Sequence, residues 1–154
     1  MFKFFPKVAK LTYLSENRIR VFIMGVEKDY LMRQLMLLFE VIQKILRYRK
    51  KGEVEQAEEE IQRFYSFLKI DEVIEKLSIE ELTELLETKK ELGNEQIEMV
   101  AFVLKEQGEL TQEKERKINF FRKAYFLLSK VERESTSFSM DRQMKLSELA
   151  SYLN

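Results

Sequence analysis

Apolar residues recur at steps of three and four along most of the chain, which is the spacing of one face of an α-helix. The first long example is a stripe whose members are Leu31, Leu35, Leu38, Ile42 and Ile45. Asp29 precedes this stripe and is a residue type that suits an N-cap. A second apolar row beside it is formed by Met32, Met36, Phe39 and Leu46. The apolar face is therefore wider than a surface helix requires, which predicts a helix that is central or part of an interface.

The same periodicity predicts further helices after this first one. Gly52 connects the first helix to a second one, and such a short connection makes the two helices an antiparallel hairpin. The second helix has an apolar stripe on one side, formed by Val54, Ala57, Ile61, Phe64 and Leu68. Ser78–Glu81 has capping-box form and begins another helix. A helix over 95–107 is predicted to end at Gly108, and Thr111 to cap a long helix that buries Tyr125 and runs to about Glu134. The prediction is an all-α bundle of about six helices.

The predicted domain organisation follows from breaks in this pattern. Residues 24–134 form the helical-hairpin domain, and 140–154 form a C-terminal helix. The segment 135–139 is rich in serine and poor in helix formers, so it is predicted to be a linker. Residues 1–23 differ in composition from the rest and form either a basic arm or an extension that precedes a start at Met24.

Composition narrows the function classes. The 154 residues include one proline and four glycines, which agrees with helix almost throughout. Cysteine, histidine and tryptophan are absent. Without cysteine there is no thiolate chemistry, and without histidine the side chain best suited to acid–base work and metal binding near neutral pH is missing. We therefore expect no enzymatic activity, cofactor, metal site or small-molecule substrate.

Charge is unevenly distributed although the formal net charge is zero. Residues 1–23 carry five basic side chains against Glu16, so the remaining chain is acidic. The lysines of this segment interrupt its apolar run, and no cleavage signal follows it, so it does not resemble a signal peptide. No membrane-spanning stretch is evident in the sequence either, so the expected location is the cytoplasm. Three interpretations of residues 1–23 stay open: association with an anionic membrane surface, packing on the body, and an extension that is not translated.

Two short stretches resemble tetratricopeptide repeats, in which small residues lie where paired helices approach closely. Ile97, Val100, Ala101 and Leu104 resemble the first helix of such a unit, and Ala57-x3-Ile61 resembles the second. The repeat period of that family is 34 residues. Gly52 and Gly108 lie 56 residues apart, so the resemblance implies tetratricopeptide-like hairpins and not a tandem array.

A second resemblance covers four stretches: DYLMRQ at Asp29–Gln34, the helix around Ala57, Ala101–Gly108, and KAYFLL at Lys123–Leu128. They resemble a family of uncharacterised short all-helical bacterial proteins, a domain of unknown function. The resemblance implies a tetratricopeptide-like fold and a start near the DYLMRQ run, which agrees with Met24. It implies no activity, cofactor or catalytic residue.

The candidate partner-binding residues lie on the first predicted helix: Tyr30, Met32, Arg33, Met36 and Phe39. Thioethers adapt to varied partners, so these residues are typical of a groove for a peptide, a helix or a second copy of the chain. The alternative is that the methionines are plain core and that Tyr30 and Arg33 form an i, i+3 contact. A non-enzymatic protein–protein interaction or structural role is the leading hypothesis.

A basic cluster at the end of the same helix supports the alternative hypothesis, a nucleic-acid-associated regulatory factor: Lys44, Arg47, Arg49, Lys50 and Lys51. Cations at a helix C-terminus are favoured by the macrodipole without any ligand, and no aromatic platform accompanies them, so nucleic acid is disfavoured. The glutamates that follow are predicted to be a solvated face and not a metal site: Glu53, Glu55, Glu58, Glu59 and Glu60.

Overall fold

The computed structural model describes the backbone of residues 13–154 and the side chains from Gly25 onward. The chain divides into two compact units, Met1–Leu37 and Leu38–Asn154. Helix α1 spans Tyr13–Lys50. It passes through Asp29 without a break, so the predicted N-cap there is wrong. The helix formers around Asp29 continue the helix, and a cap acts only where the preceding residue leaves helical geometry. The predicted arm at residues 1–23 lies outside the residues with described side chains.

The remaining helices belong to the second unit. The helices are α2 (Val54–Phe67), α3 (Ile79–Glu84), α4 (Asn94–Leu110), α5 (Lys114–Glu134) and α6 (Met140–Leu153). A 3₁₀ turn at Ile74–Lys76 separates α2 from α3. Helix α3 continues as one π-helical turn over Leu85–Lys89. With α1 they make six helices, and residues 13–154 contain no strand, so the predicted all-α bundle is confirmed.

The turn between α1 and α2 is fixed by the residues that the sequence indicates. Gly52 adopts a left-handed conformation with φ of 77°. Its N–H donates to the Arg49 carbonyl at 3.0 Å, and the Glu53 N–H donates to the Tyr48 carbonyl at 2.9 Å. This is the Schellman arrangement, which satisfies the last carbonyls of a helix and favours glycine. The chain therefore turns back sharply after α1.

The start of α3 is also as predicted. The Glu81 N–H donates to Ser78 Oγ at 3.1 Å, and the Ser78 N–H donates to Glu81 Oε1 at 3.0 Å. The two bonds complete the capping box. The pKa of the Glu81 carboxyl is lowered, chiefly because its ionised form accepts this backbone hydrogen bond.

The core of the second unit takes one face from each helix. It is built from residues such as Leu38, Ile45, Phe64, Leu82, Leu104, Leu127 and Leu149, all fully buried. Predicted core positions fail where the apolar stripe reaches a helix end or edge: Val54 and Tyr125 are exposed. In α6, Leu149 is buried, while Leu146 and Leu153 are half-buried.

Helices α4 and α5 form the most extensive helix pair, and Gly108 is at their closest approach. The prediction that Gly108 ends a helix is wrong, since α4 continues to Leu110. A Cβ atom at Gly108 would lie 2.5 Å from Cε1 of Phe121 on α5. The glycine is therefore needed for space and not for a turn. Thr111 follows the helix, and its N–H donates to the Gly108 carbonyl at 3.2 Å.

Helix α6 is held by a buried guanidinium that the sequence analysis missed. Arg142 is only 2% exposed. It donates to Glu98 Oε2 of α4 at 3.1 Å, to Glu132 Oε1 of α5 and to the Ser137 carbonyl at 2.8 Å. Burial raises the pKa of Glu98 despite the nearby guanidinium. The sequence does contain an indication of this burial. Arg142 precedes Leu146 and Leu149 at helical spacing, so it lies on the apolar face of the helix.

Candidate functional site

The predicted partner-binding residues of the first unit are all exposed. Tyr30 is 70%, Met32 50% and Met36 64% exposed, and Arg33 is exposed as well. These methionines are not core residues, which was the alternative interpretation. Met32 and Met36 are one turn apart and share a face of the helix. The geometry therefore presents two flexible thioethers side by side on α1.

Other exposed apolar residues of this unit lie on different faces of α1. One side of α1 carries Val26, Tyr30 and Leu37, which are spaced by four and seven residues. Leu31 lies on a different side of the helix. A helix that is apolar on several sides is normally enclosed by other helices. The described part of the first unit leaves these side chains open to solvent.

Phe39, the fifth predicted residue, belongs to the second unit and is about half exposed. It lines a pocket of about 240 Å³ with Phe102 and three ion pairs. These pairs join Arg49 to Glu106, Lys105 to Glu148 and Lys145 to Asp141, at 2.9, 2.9 and 2.8 Å. These ion pairs neutralise most of the charge of the pocket lining, so little unpaired charge is left to bind a charged ligand.

The predicted basic cluster divides into one paired residue and four open ones. Arg49 donates through Nε to both carboxylate oxygens of Glu106, at 2.9 and 3.0 Å. Glu106 is buried, so this pair fastens the end of α1 to α4 and is not available to phosphate. The other four are exposed: Lys44, Arg47, Lys50 and Lys51.

A cleft of about 970 Å³ lies beside α2 in the second unit. Its apolar lining includes Val54, Leu110 and Phe120, and its acidic lining includes Glu55, Glu58, Glu59, Glu75 and Glu113. Arg116 is the single cation among the described residues that line the cleft, and Glu75 already binds it through contacts of 2.6 and 3.0 Å. The hydrogen bond from Arg116 holds the pKa of the Glu75 carboxyl below its usual range. The cleft is therefore acidic with an apolar component.

The prediction that the five glutamates after Gly52 form a solvated face is right for three of them. Glu55, Glu58 and Glu59 are exposed. Glu60 is buried, with its Oε2 atom 3.5 Å from Nε of Arg63, so the prediction fails there. Glu60 follows Ala57 by three residues and precedes Phe64 by four, so it shares a face of α2 with these two buried residues. Glu53 is half-buried in the turn.

The described residues form neither a cluster of metal ligands nor a membrane-spanning helix. No three acidic, thiol or imidazole side chains among them converge on a point where a metal ion could be held. No helix within the described range has both the length and the apolar character needed to cross a bilayer.

Comparison with known proteins gave no match at any of three levels: protein-family models, curated proteins and solved structures. The resemblances to tetratricopeptide hairpins and to the bacterial helical family stay predictions. The chain is a small all-helical protein.

Proposed function

We propose that this protein is a non-enzymatic interaction protein, and that helices of a partner polypeptide pack around the first-unit part of α1. The observation that carries the proposal is the exposure of apolar side chains on more than one face of that helix. We name the exposed surface formed by Met32 and Met36 the methionine face. The proposal includes tetratricopeptide-like helix pairing and a cytoplasmic setting.

The energetics favour covering this surface. Fully burying a methionine, leucine or aromatic side chain contributes about 1.5–3 kcal/mol. The first unit exposes at least 40% of six large apolar side chains: Val26, Tyr30, Leu31, Met32, Met36 and Leu37. Such a concentration on a single helix exceeds the scattered apolar exposure that is normal for a protein surface. A partner helix that covered only the two methionines would already gain several kcal/mol in gross terms.

The nucleic-acid alternative has less support. The four open cations at the end of α1 adjoin the acidic wall formed by Glu55, Glu58 and Glu59. Phosphate approaching those cations would also approach these carboxylates, and the repulsion would offset part of the attraction. Arg49, one of the two guanidinium groups of the cluster, is occupied by Glu106.

The test uses the full chain and a labelled amphipathic helical peptide of leucine and glutamine as an uncharged probe. Met32→Glu/Met36→Glu is compared with Met140→Glu/Met144→Glu, which changes two exposed methionines at the same spacing on α6. We expect fluorescence anisotropy to show binding by the native chain that persists at moderate salt. The Met32/Met36 variant should weaken binding about tenfold or more, since each lost methionine contact removes 1 kcal/mol or more.

The control variant should bind as the native chain does. Both double variants should keep the native circular dichroism and urea midpoint, because all four methionines are exposed. Equal loss of binding in both variants would show nonspecific adsorption and contradict the proposal. Unfolding of the Met32/Met36 variant alone would make those residues structural, which also contradicts it.

A further inference from the structure

Two patches of opposite charge lie on either side of the Gly52 turn in the second unit. The basic patch consists of Lys44, Arg47, Lys50 and Lys51, and the acidic patch consists of Glu55, Glu58 and Glu59. All seven side chains are exposed. None of them forms an ion pair within 4 Å in the described part of the chain.

The helix macrodipoles account for only part of this charge. Arg47 and Lys50 are in the last turn of α1, and Glu55 is in the first turn of α2, where such charges are favoured. The dipole effect fades beyond the terminal turn. Lys44 precedes the last turn of α1, and Glu58 and Glu59 follow the first turn of α2. The macrodipoles therefore do not account for these three charges.

The spacing within each patch is repulsive in the isolated chain. Arg47 and Lys51 are four residues apart, and so are Glu55 and Glu59, which places like charges one above the other. Like-charged pairs at this spacing destabilise a helix. A surface of opposite charge brought against each patch would relieve both repulsions.

The chemical character of the two patches is complementary. The acidic patch forms one wall of the 970 Å³ cleft, whose lining also includes the 42% exposed Val54 and the half-buried Leu110. Arg116 is already paired with Glu75, so the cleft has no free cation. The side chains of the basic patch have long aliphatic stems, which pack on apolar surface while their charges reach carboxylates.

We propose that a second copy of this chain occupies the cleft, with the basic patch of each copy against the acidic patch of the other. Because the two patches adjoin across one turn, a single two-fold axis pairs both at once, as an isologous interface requires. This interface is separate from the methionine face and does not depend on it.

The experiment measures self-association of the full chain by sedimentation velocity at several concentrations in low and moderate salt. One variant reverses the acidic patch (Glu55→Lys/Glu58→Lys/Glu59→Lys) and another reverses the basic patch (Lys44→Glu/Arg47→Glu/Lys50→Glu/Lys51→Glu). A control reverses two exposed acids on α3, Glu80→Lys/Glu84→Lys. We expect the native chain and the control to form dimers whose dissociation constant rises about tenfold as salt screens the contact.

Each patch variant alone should be monomeric, since both of its interfaces then join like charges. An equimolar mixture of the two patch variants should form a dimer, because every contact again joins opposite charges. A monomeric native chain, unchanged dimerisation of either patch variant, or failure of the mixture to associate would each overturn the proposal. Dimers that are lost only in Met32→Glu/Met36→Glu would support the methionine face and reject this interface.

Discussion

Replacing Gly108 by alanine is the sharpest test of the packing between α4 and α5. Gly108 is inside α4, where alanine would raise helix propensity by about 1 kcal/mol if nothing else changed. The new Cβ atom would, however, lie 2.5 Å from Cε1 and 2.6 Å from Cδ1 of Phe121. Real Cβ atoms do not approach other atoms this closely, so the ring or a helix must move.

The ring has little freedom to move. Phe121 is 2% exposed, and its face stacks on Tyr152 of α6 with the ring centroids 4.7 Å apart. Overpacking of a dense core costs about 1–3 kcal/mol. A contact this short belongs in the upper half of that range, and subtracting the propensity gain leaves a net destabilisation of about 1–2 kcal/mol. For a unit of this size that lowers the urea midpoint by about 0.5–1 M.

Urea unfolding followed by circular dichroism measures this effect. Gly25→Ala is the matched control, because a Cβ there meets nothing within 4 Å on the same kind of helical backbone. That variant should not be destabilised. In a Phe121→Leu background the clash is smaller, so Gly108→Ala should become close to neutral, and the double-mutant cycle gives the coupling between the two positions. A Gly108→Ala variant as stable as the native chain would refute the close approach.

Three further substitutions test other contacts, each by urea unfolding. Arg142→Ala should destabilise by about 3 kcal/mol because it leaves two partly buried carboxylates unpaired; a loss below 1 kcal/mol would show that α6 does not depend on this residue. Tyr65→Phe removes the 2.6 Å hydrogen bond to Gln107 and should lower stability by about 0.5–1.5 kcal/mol, and an unchanged midpoint would contradict that bond. Glu75 has a lowered pKa, so its pairing with Arg116 stabilises the fold fully above the unfolded pKa of about 4.3 and is lost as pH falls below it. Glu75→Gln should therefore show a shallower loss of stability at acid pH, by less than about 1 kcal/mol since Arg116 is exposed; an identical pH profile would contradict the assignment.

Local signals were the most informative part of the sequence. The turn at Gly52 and the capping box at Ser78 depend on residues only a few positions apart, so their chemistry can be read directly. The prediction that a helix begins at Asp29 was wrong because a residue type that can cap a helix is also compatible with a helix interior. Gly108 was misassigned for a similar reason, since glycine serves both turns and close approaches.

The candidate surfaces were predicted only in outline. The sequence identified Met32 and Met36 as an apolar pair, but spacing could not show whether they were core or surface. The acidic cleft was not predicted at all, because its walls come from segments that are distant in the chain. The glutamates of α2 and the single cation Arg116 meet only after α2, α4 and α5 are assembled.

What the sequence alone determined is the helical class, the turn after α1, the cap of α3 and which face of each helix is apolar. These follow from bonds and side-chain spacing within a few residues. Tertiary structure decided which apolar residues are covered: Leu38 is buried in the second unit, while Leu31 on the same stripe is 40% exposed. It also decided that Arg142 is buried. A periodic pattern gives the direction of a side chain from its helix, but burial depends on whether another element lies in that direction.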